Sequence, residues 1–94
     1  MMKEKTYVIG RKGHIQMVHK TTSAQHASLT ISDNSLYLID MNSTNGTYII
    51  EDGKRQRFTE GYIKLDQLLS FGSNICSVRE LLARAEVASS DIAQ

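Results

Sequence analysis

Two polar loops hold most of the side chains in this chain that could bind or transfer anything. Thr21, Thr22, Ser23 and Gln25 crowd the first, and Asn42, Ser43, Thr44 and Asn45 crowd the second. Arg11 stands directly after the first β-rich segment. Hydroxyl donors, amides and one guanidinium are suited to holding an oxyanion, and arginine adds a bidentate fork. Other chemistries are poorly served. His14 and His19 are five residues apart, which puts them on opposite faces of a continuous strand, and His26 follows across a loop. No Cys pair, His-Glu cluster or acidic pair at ligand spacing joins them, so neither a metal nor a cofactor is expected. Cys76 lies between Ile75 and Val78 with no base or activating cation beside it, and reads as a buried spectator thiol. No Gly-x-Ser-x-Gly elbow is present, and no enzymatic activity is expected.

The loops need a scaffold, and most of the chain reads as short strands between turn clusters. Strand candidates are Thr6–Ile9, His14–Val18, Ala27–Ile31, Ser35–Asp40 and Thr47–Ile50, followed by weaker ones near Arg55–Thr59, Tyr62–Leu65, Leu68–Phe71 and Asn74–Val78. Turn signals recur at roughly 8–12-residue spacing, which favours an all-β sandwich or barrel. In a sandwich the loops at one end cluster, so both polar loops can face one another with Arg11 between them. Taken singly, each feature has a plainer reading. Asn45-Gly46 suits a type I′ hairpin turn, an arginine after a strand is usually solvated, and loop Ser and Thr cap their own backbone. It is their order along the chain that carries weight.

The last segment changes period. Val78, Leu81, Leu82 and Ala85 fall on one helical face, and Glu80 and Arg84 form an i,i+4 pair in the favourable order. The pattern predicts a short helix over about 79–88 and a frayed tail over 89–94. An amphipathic end of this kind also suits a lead into further domains of a longer parent chain.

Ninety-four residues make one domain, spanning 1–94 with its core over about 6–80. A net charge of +1 argues against a nucleic-acid binder, which spreads basic charge over a face. One cysteine cannot form an internal disulfide, no apolar run is long enough to span a membrane, and Met1–Thr6 leads into no signal-peptide core. A cytoplasmic protein is the expectation.

Gly10-Arg11, then Ser23-Ala24-Gln25-His26, then Ser43-Thr44-Asn45-Gly46-Thr47 resemble the motifs of the forkhead-associated (FHA) domain family: Gly-Arg, Ser-x-x-His and Ser-x-Asn-Gly-Thr. Asp40-Met41-Asn42 resembles the lead-in to the last motif, and Ile63-Lys64-Leu65 and Leu68–Gly72 resemble the family's later strands and closing Phe-Gly. The resemblance implies an FHA-like β-sandwich of about eleven strands that binds phosphothreonine peptides through loops at one end. It also implies roles: Arg11, Ser23 and Thr44 on the phosphate, and Asn45 on the peptide backbone. Gly10, His26, Ser43 and Gly46 would support the site. The implied partner is a phosphothreonine-containing protein made by a Ser/Thr kinase. Ala24 departs from the family, many of whose members carry Arg, Lys or Asn there; Ile50 and Asp66-Gln67 are further departures, at turns. Ala24 and the amphipathic end leave a second reading open, an FHA-like structural or oligomerisation module that binds partners independently of phosphate.

Overall fold

The structure is a computed structural model that describes residues 4–93, with the backbone alone over 88–93. Met1–Lys3 and Gln94, the ends of the expected 1–94 unit, lie outside the described residues. Two sheets face each other. The first has the order β2 (Ile15–Gln16), β1 (Lys5–Gly10), β3 (Ala27–Ile31), β4 (Leu36–Asp40) and β7 (Glu60–Tyr62). The second has the order β6 (Lys54–Arg57), β5 (Thr47–Glu51), β8 (Leu68–Phe71) and β9 (Asn74–Ser77). All pairings are antiparallel except β1 with β2, where Ile9 meets Ile15.

Period-2 patterning makes this core. Tyr7 and Ile9 of β1, Ala27 and Leu29 of β3, and Leu38 of β4 turn inward to meet Ile49, Leu69, Phe71 and Cys76 of the second sheet. Nine strands are present among the described residues, not the eleven that the family resemblance implied. Each of the nine matches a β-rich segment of the sequence. The stretches between them are occupied by turns, by the two polar loops and by the helix, which leaves no segment for two more strands.

The helix α1 (Val78–Ala93) begins one residue earlier and runs further than the 79–88 expectation. Ser77 starts it, its hydroxyl accepting from Glu80 N–H at 3.1 Å as an N-cap. Ser89-Ser90-Asp91 are residues that favour caps and turns, but the backbone continues helically through them. Val78, Leu81 and Ala85 are buried, and Arg84 donates to the Gln16 carbonyl, docking α1 against β2.

The hairpin turn of the second sheet is Asp52-Gly53, whose φ values of 52° and 73° join β5 to β6. Asn45-Gly46 is not a hairpin. It ends a loop that carries the chain from β4 in one sheet to β5 in the other, and so reaches over the end of the sandwich.

Candidate functional site

The site begins where β1 ends. At Gly10 a Cβ would overlap the Ala24 carbonyl, so only glycine lets the 19–26 loop lie flush on the strand. Arg11 N–H then donates to the Ser23 carbonyl at 3.1 Å and Lys12 N–H to that of Ala24 at 3.0 Å. The Arg11 side chain is exposed, but its Nε donates to the Thr22 carbonyl at 2.7 Å. That single bond aims the guanidinium while its terminal nitrogens have no partner among the described residues.

His26 holds the same loop from below. It is wholly buried; its Nδ1 accepts from Ser23 N–H at 3.0 Å and its Nε2 lies 2.9 Å from the Gly46 carbonyl. A nitrogen that accepts from an amide carries no proton, so Nε2–H donates to Gly46 and the ring is neutral. The imidazole thereby ties the first loop to the second, and its ring stands perpendicular to that of Phe71 at a 5.6 Å centroid distance.

The second loop is organised by Asp40 at the end of β4. Asp40 Oδ1 accepts from the Ser43 hydroxyl at 2.6 Å and the Thr47 hydroxyl at 2.7 Å, and Oδ2 accepts from Ser43 N–H at 3.1 Å. Ser43 Oγ in turn accepts from Gly46 N–H at 3.0 Å. Burial pushes the Asp40 carboxyl up, but the bonds from Ser43 and Thr47 outweigh it and hold its pKa below the ordinary aspartate value. Sequence reasoning took Asp40 only as a lead-in to the motif. An Asp three residues ahead of a Ser is a local turn signal that could have marked it.

Between the two loops, Thr44 N–H donates to Ser23 Oγ at 3.1 Å and Asn45 Nδ2 donates to the Thr21 carbonyl at 2.9 Å. Thr21 also reaches the β8–β9 turn, its hydroxyl accepting from Ser73 N–H at 2.9 Å. A Cβ at Gly72 would overlap the Thr21 carbonyl, and φ there is 68°. The buried Thr22 hydroxyl donates to the Phe71 carbonyl at 3.0 Å. Thr21 and Thr22 of the first loop and Gly72 of the closing Phe-Gly thus join the site as supports.

Arg11, Ser23, Thr44 and Asn45 are thereby brought to one end of the sandwich, with Gly10, His26, Ser43 and Gly46 packed around them. Ser23 Oγ spends one lone pair on Thr44 N–H and keeps its O–H to donate. The exposed Thr44 hydroxyl and the Oδ1 of Asn45 have no partner among the described residues. The arrangement is a preset group of donors with one cation, able to receive an oxyanion and a segment of extended backbone. The remaining candidates fall elsewhere. Cys76 is buried on β9 and its thiol is pushed up to about 11, burial being the main cause and Glu80 adding to it. His14 Nδ1 accepts from Val8 N–H and His19 Nδ1 from Thr21 N–H. Among the described residues no His, Cys, Asp and Glu side chains group as metal ligands, and no helix is long and apolar enough to cross a membrane.

Comparison with known proteins points one way. The family model for the FHA domain matches residues 7–72. No match is found among curated protein sequences. Among solved structures, the FHA domain of CT664 protein from Chlamydia trachomatis is 28% identical with a TM-score of 0.64, over 76% of this chain and 71% of that one. The FhaA FHA domain, in complex with the intracellular domain of Rv3910, is 21% identical with a TM-score of 0.66, over 78% of each chain. A structure from work on phosphothreonine-dependent FHA domain interactions is 21% identical with a TM-score of 0.68, over 78% of this chain and 74% of that one.

Proposed function

Because this chain belongs to the FHA domain family, we propose that it is a phosphothreonine-peptide-binding module that mediates phosphorylation-dependent protein–protein interaction, with no catalytic step of its own. Its partner is a phosphothreonine-containing protein, the product of a Ser/Thr kinase. One observation carries the reading. The Nε bond of Arg11 to Thr22 and the Thr44 N–H bond to Ser23 Oγ leave a guanidinium at the end of β1 and a hydroxyl on the 19–26 loop free, each held in place by a neighbouring segment.

The chemistry is that of a dianion meeting preset donors. A phosphothreonine brings about −1.5 to −2 charges and three strong acceptor oxygens. Arg11 supplies charge-assisted bonds, roughly twice as strong as neutral ones, and Ser23 and Thr44 supply hydroxyls. Asn45, anchored through one amide hydrogen, keeps its Oδ1 and its other amide hydrogen for the backbone of an extended peptide. Little reorganisation is needed on binding, which limits the entropic cost.

The test is a titration of paired peptides, phosphorylated and not, against wild type and Arg11→Ala. The phosphorylated form binds, the unphosphorylated form does not, and Arg11→Ala weakens binding by at least about tenfold, a charged hydrogen bond being worth about 1.5–3 kcal/mol. Equal binding of both forms would refute the reading. A stable dimer that survives Arg11→Ala and ignores phosphorylation would support the structural-module alternative instead.

A further inference from the structure

We infer that Arg57, held beside the second loop by Tyr48, forms a second subsite that selects an acidic residue a few positions from the phosphothreonine. The inference rests on the phosphothreonine reading and names its ligand class more closely. Arg55 and Arg57 lie on β6, opposite Ile50 and Tyr48 of β5. Their side chains are used differently. Arg55 is committed: its guanidinium carbon stands 4.0 Å over the Tyr48 ring and Nη2 donates to the Gly72 carbonyl at 3.2 Å. Arg57 lies 5.7 Å from the same ring centroid, is exposed, and has neither a hydrogen bond nor an ion pair among the described residues.

Its position is what gives it a ligand. A Cβ at Gly46 would come within 3.0 Å of Arg57 Cζ and Nε and within 3.1 Å of Tyr48 Oη. The guanidinium therefore rests against bare backbone at Gly46, immediately after Asn45, whose carbonyl accepts from Tyr48 Oη at 3.1 Å. Gly46 is two residues beyond Thr44, so their Cα atoms are at most about 7.6 Å apart. An extended peptide advances about 3.3 Å per residue. A peptide with its phosphate on Arg11, Ser23 and Thr44 and its backbone on Asn45 thus passes Arg57 within roughly two to four residues.

The nearby acids do not neutralise it. Among the described residues the ion pairs within 4.0 Å are His26 with Asp40 and Arg84 with Glu80, and no carboxylate stands that close to Arg57. A free guanidinium beside an aromatic ring is partly preorganised, which lowers the entropy lost on pairing. A carboxylate is its chemical complement, since the fork accepts both oxygens at once.

The experiment measures fluorescence anisotropy of the full chain with phosphothreonine peptides in which each flanking position in turn carries Glu, Ala or Lys. At one flank, Glu is expected to bind about three- to fivefold more tightly than Ala, the range of an exposed ion pair, and the advantage shrinks with added salt. Arg57→Glu reverses the order, so that Lys becomes the favoured residue there, while dependence on phosphate and on Arg11 is unchanged. Arg57→Gln, the milder change, removes the preference without reversing it and serves if the glutamate variant fails to fold. Equal binding of the Glu and Lys peptides by wild type, or an acidic preference that persists in both Arg57 variants, overturns the inference and leaves the phosphothreonine reading intact. Failure of every phosphorylated peptide to bind overturns that reading and the inference together.

Discussion

Asp40→Asn is the substitution that most directly tests how the second loop is held. The carboxylate is 8% exposed and accepts three bonds from Ser43 and Thr47. The amide can keep Oδ1 toward the two hydroxyls, where each bond falls from the charged class of about 1.5–3 kcal/mol to the neutral class of about 0.5–1.5. Its NH2 then confronts Ser43 N–H, and a buried donor left without a partner costs a further ~1–3 kcal/mol. Flipping the amide restores that bond but turns two donors toward hydroxyls that now donate to the carboxylate. Since bonds within one network do not add, a loss of about 2–4 kcal/mol is expected, a large share of the ~5–15 kcal/mol of a typical domain. Urea denaturation followed by tyrosine fluorescence suits a chain with four Tyr and no Trp.

The pH dependence gives the test its sign. Asp40 titrates below its ordinary value of 3.8 in the folded state, so its contribution is complete above that value and is lost as pH falls through the lower, folded one. Wild type and Asp40→Asn should differ fully at pH 7 and converge as pH falls below 3.8 and the wild-type carboxyl takes up its proton. A variant within about 0.5 kcal/mol of wild type at pH 7, the usual range of a neutral surface change, would refute the reasoning. So would a difference that stays constant across the acid range.

Two further predictions follow from close approaches and burial. Gly10→Ala drives a methyl into the Ala24 carbonyl. It should destabilise the fold by about 1–3 kcal/mol and weaken phosphopeptide binding, both read in one pair of melts with and without peptide; unchanged melting and affinity would show that the loop yields freely. Cys76, with its thiol at about 11, should alkylate slowly at pH 8 and react quickly once urea unfolds the chain. Equal rates with native and unfolded protein would contradict its burial.

Alternating apolar residues made Ala27–Ile31 legible to the residue, and the turn residues Asp66-Gln67 and Gly72 bounded Leu68–Phe71, which is buried on both faces. Segments whose limits are set by a distant partner read less well. The expected strand at Tyr62–Leu65 is displaced to Glu60–Tyr62, where Tyr62 pairs with Tyr37 and Gly61 with Leu38, and Ile63 turns into the core. The expected His14–Val18 strand contracts to Ile15–Gln16, and its parallel pairing with β1 leaves no trace in local sequence. The same division holds at the candidate site. Arg11 and the two loops announce themselves by residue type, whereas the anchoring by Asp40 and the nearness of Arg57 to Gly46 depend on which loops meet.

The 19–26 loop is gripped at both ends by glycines that belong to different sheets, Gly10 against Ala24 and Gly72 against Thr21. Any sliding of one sheet over the other would therefore shear the loop between its two attachments. Such a shift would move Arg11, which follows the first sheet, relative to Asn45, which is tied to Thr21 near the second. Affinity then becomes a gauge of sheet-to-sheet alignment. A ligand that bridges Arg11 and Asn45 acts as a crosslink between the two halves of the sandwich, and what tightens the core also sharpens the grip.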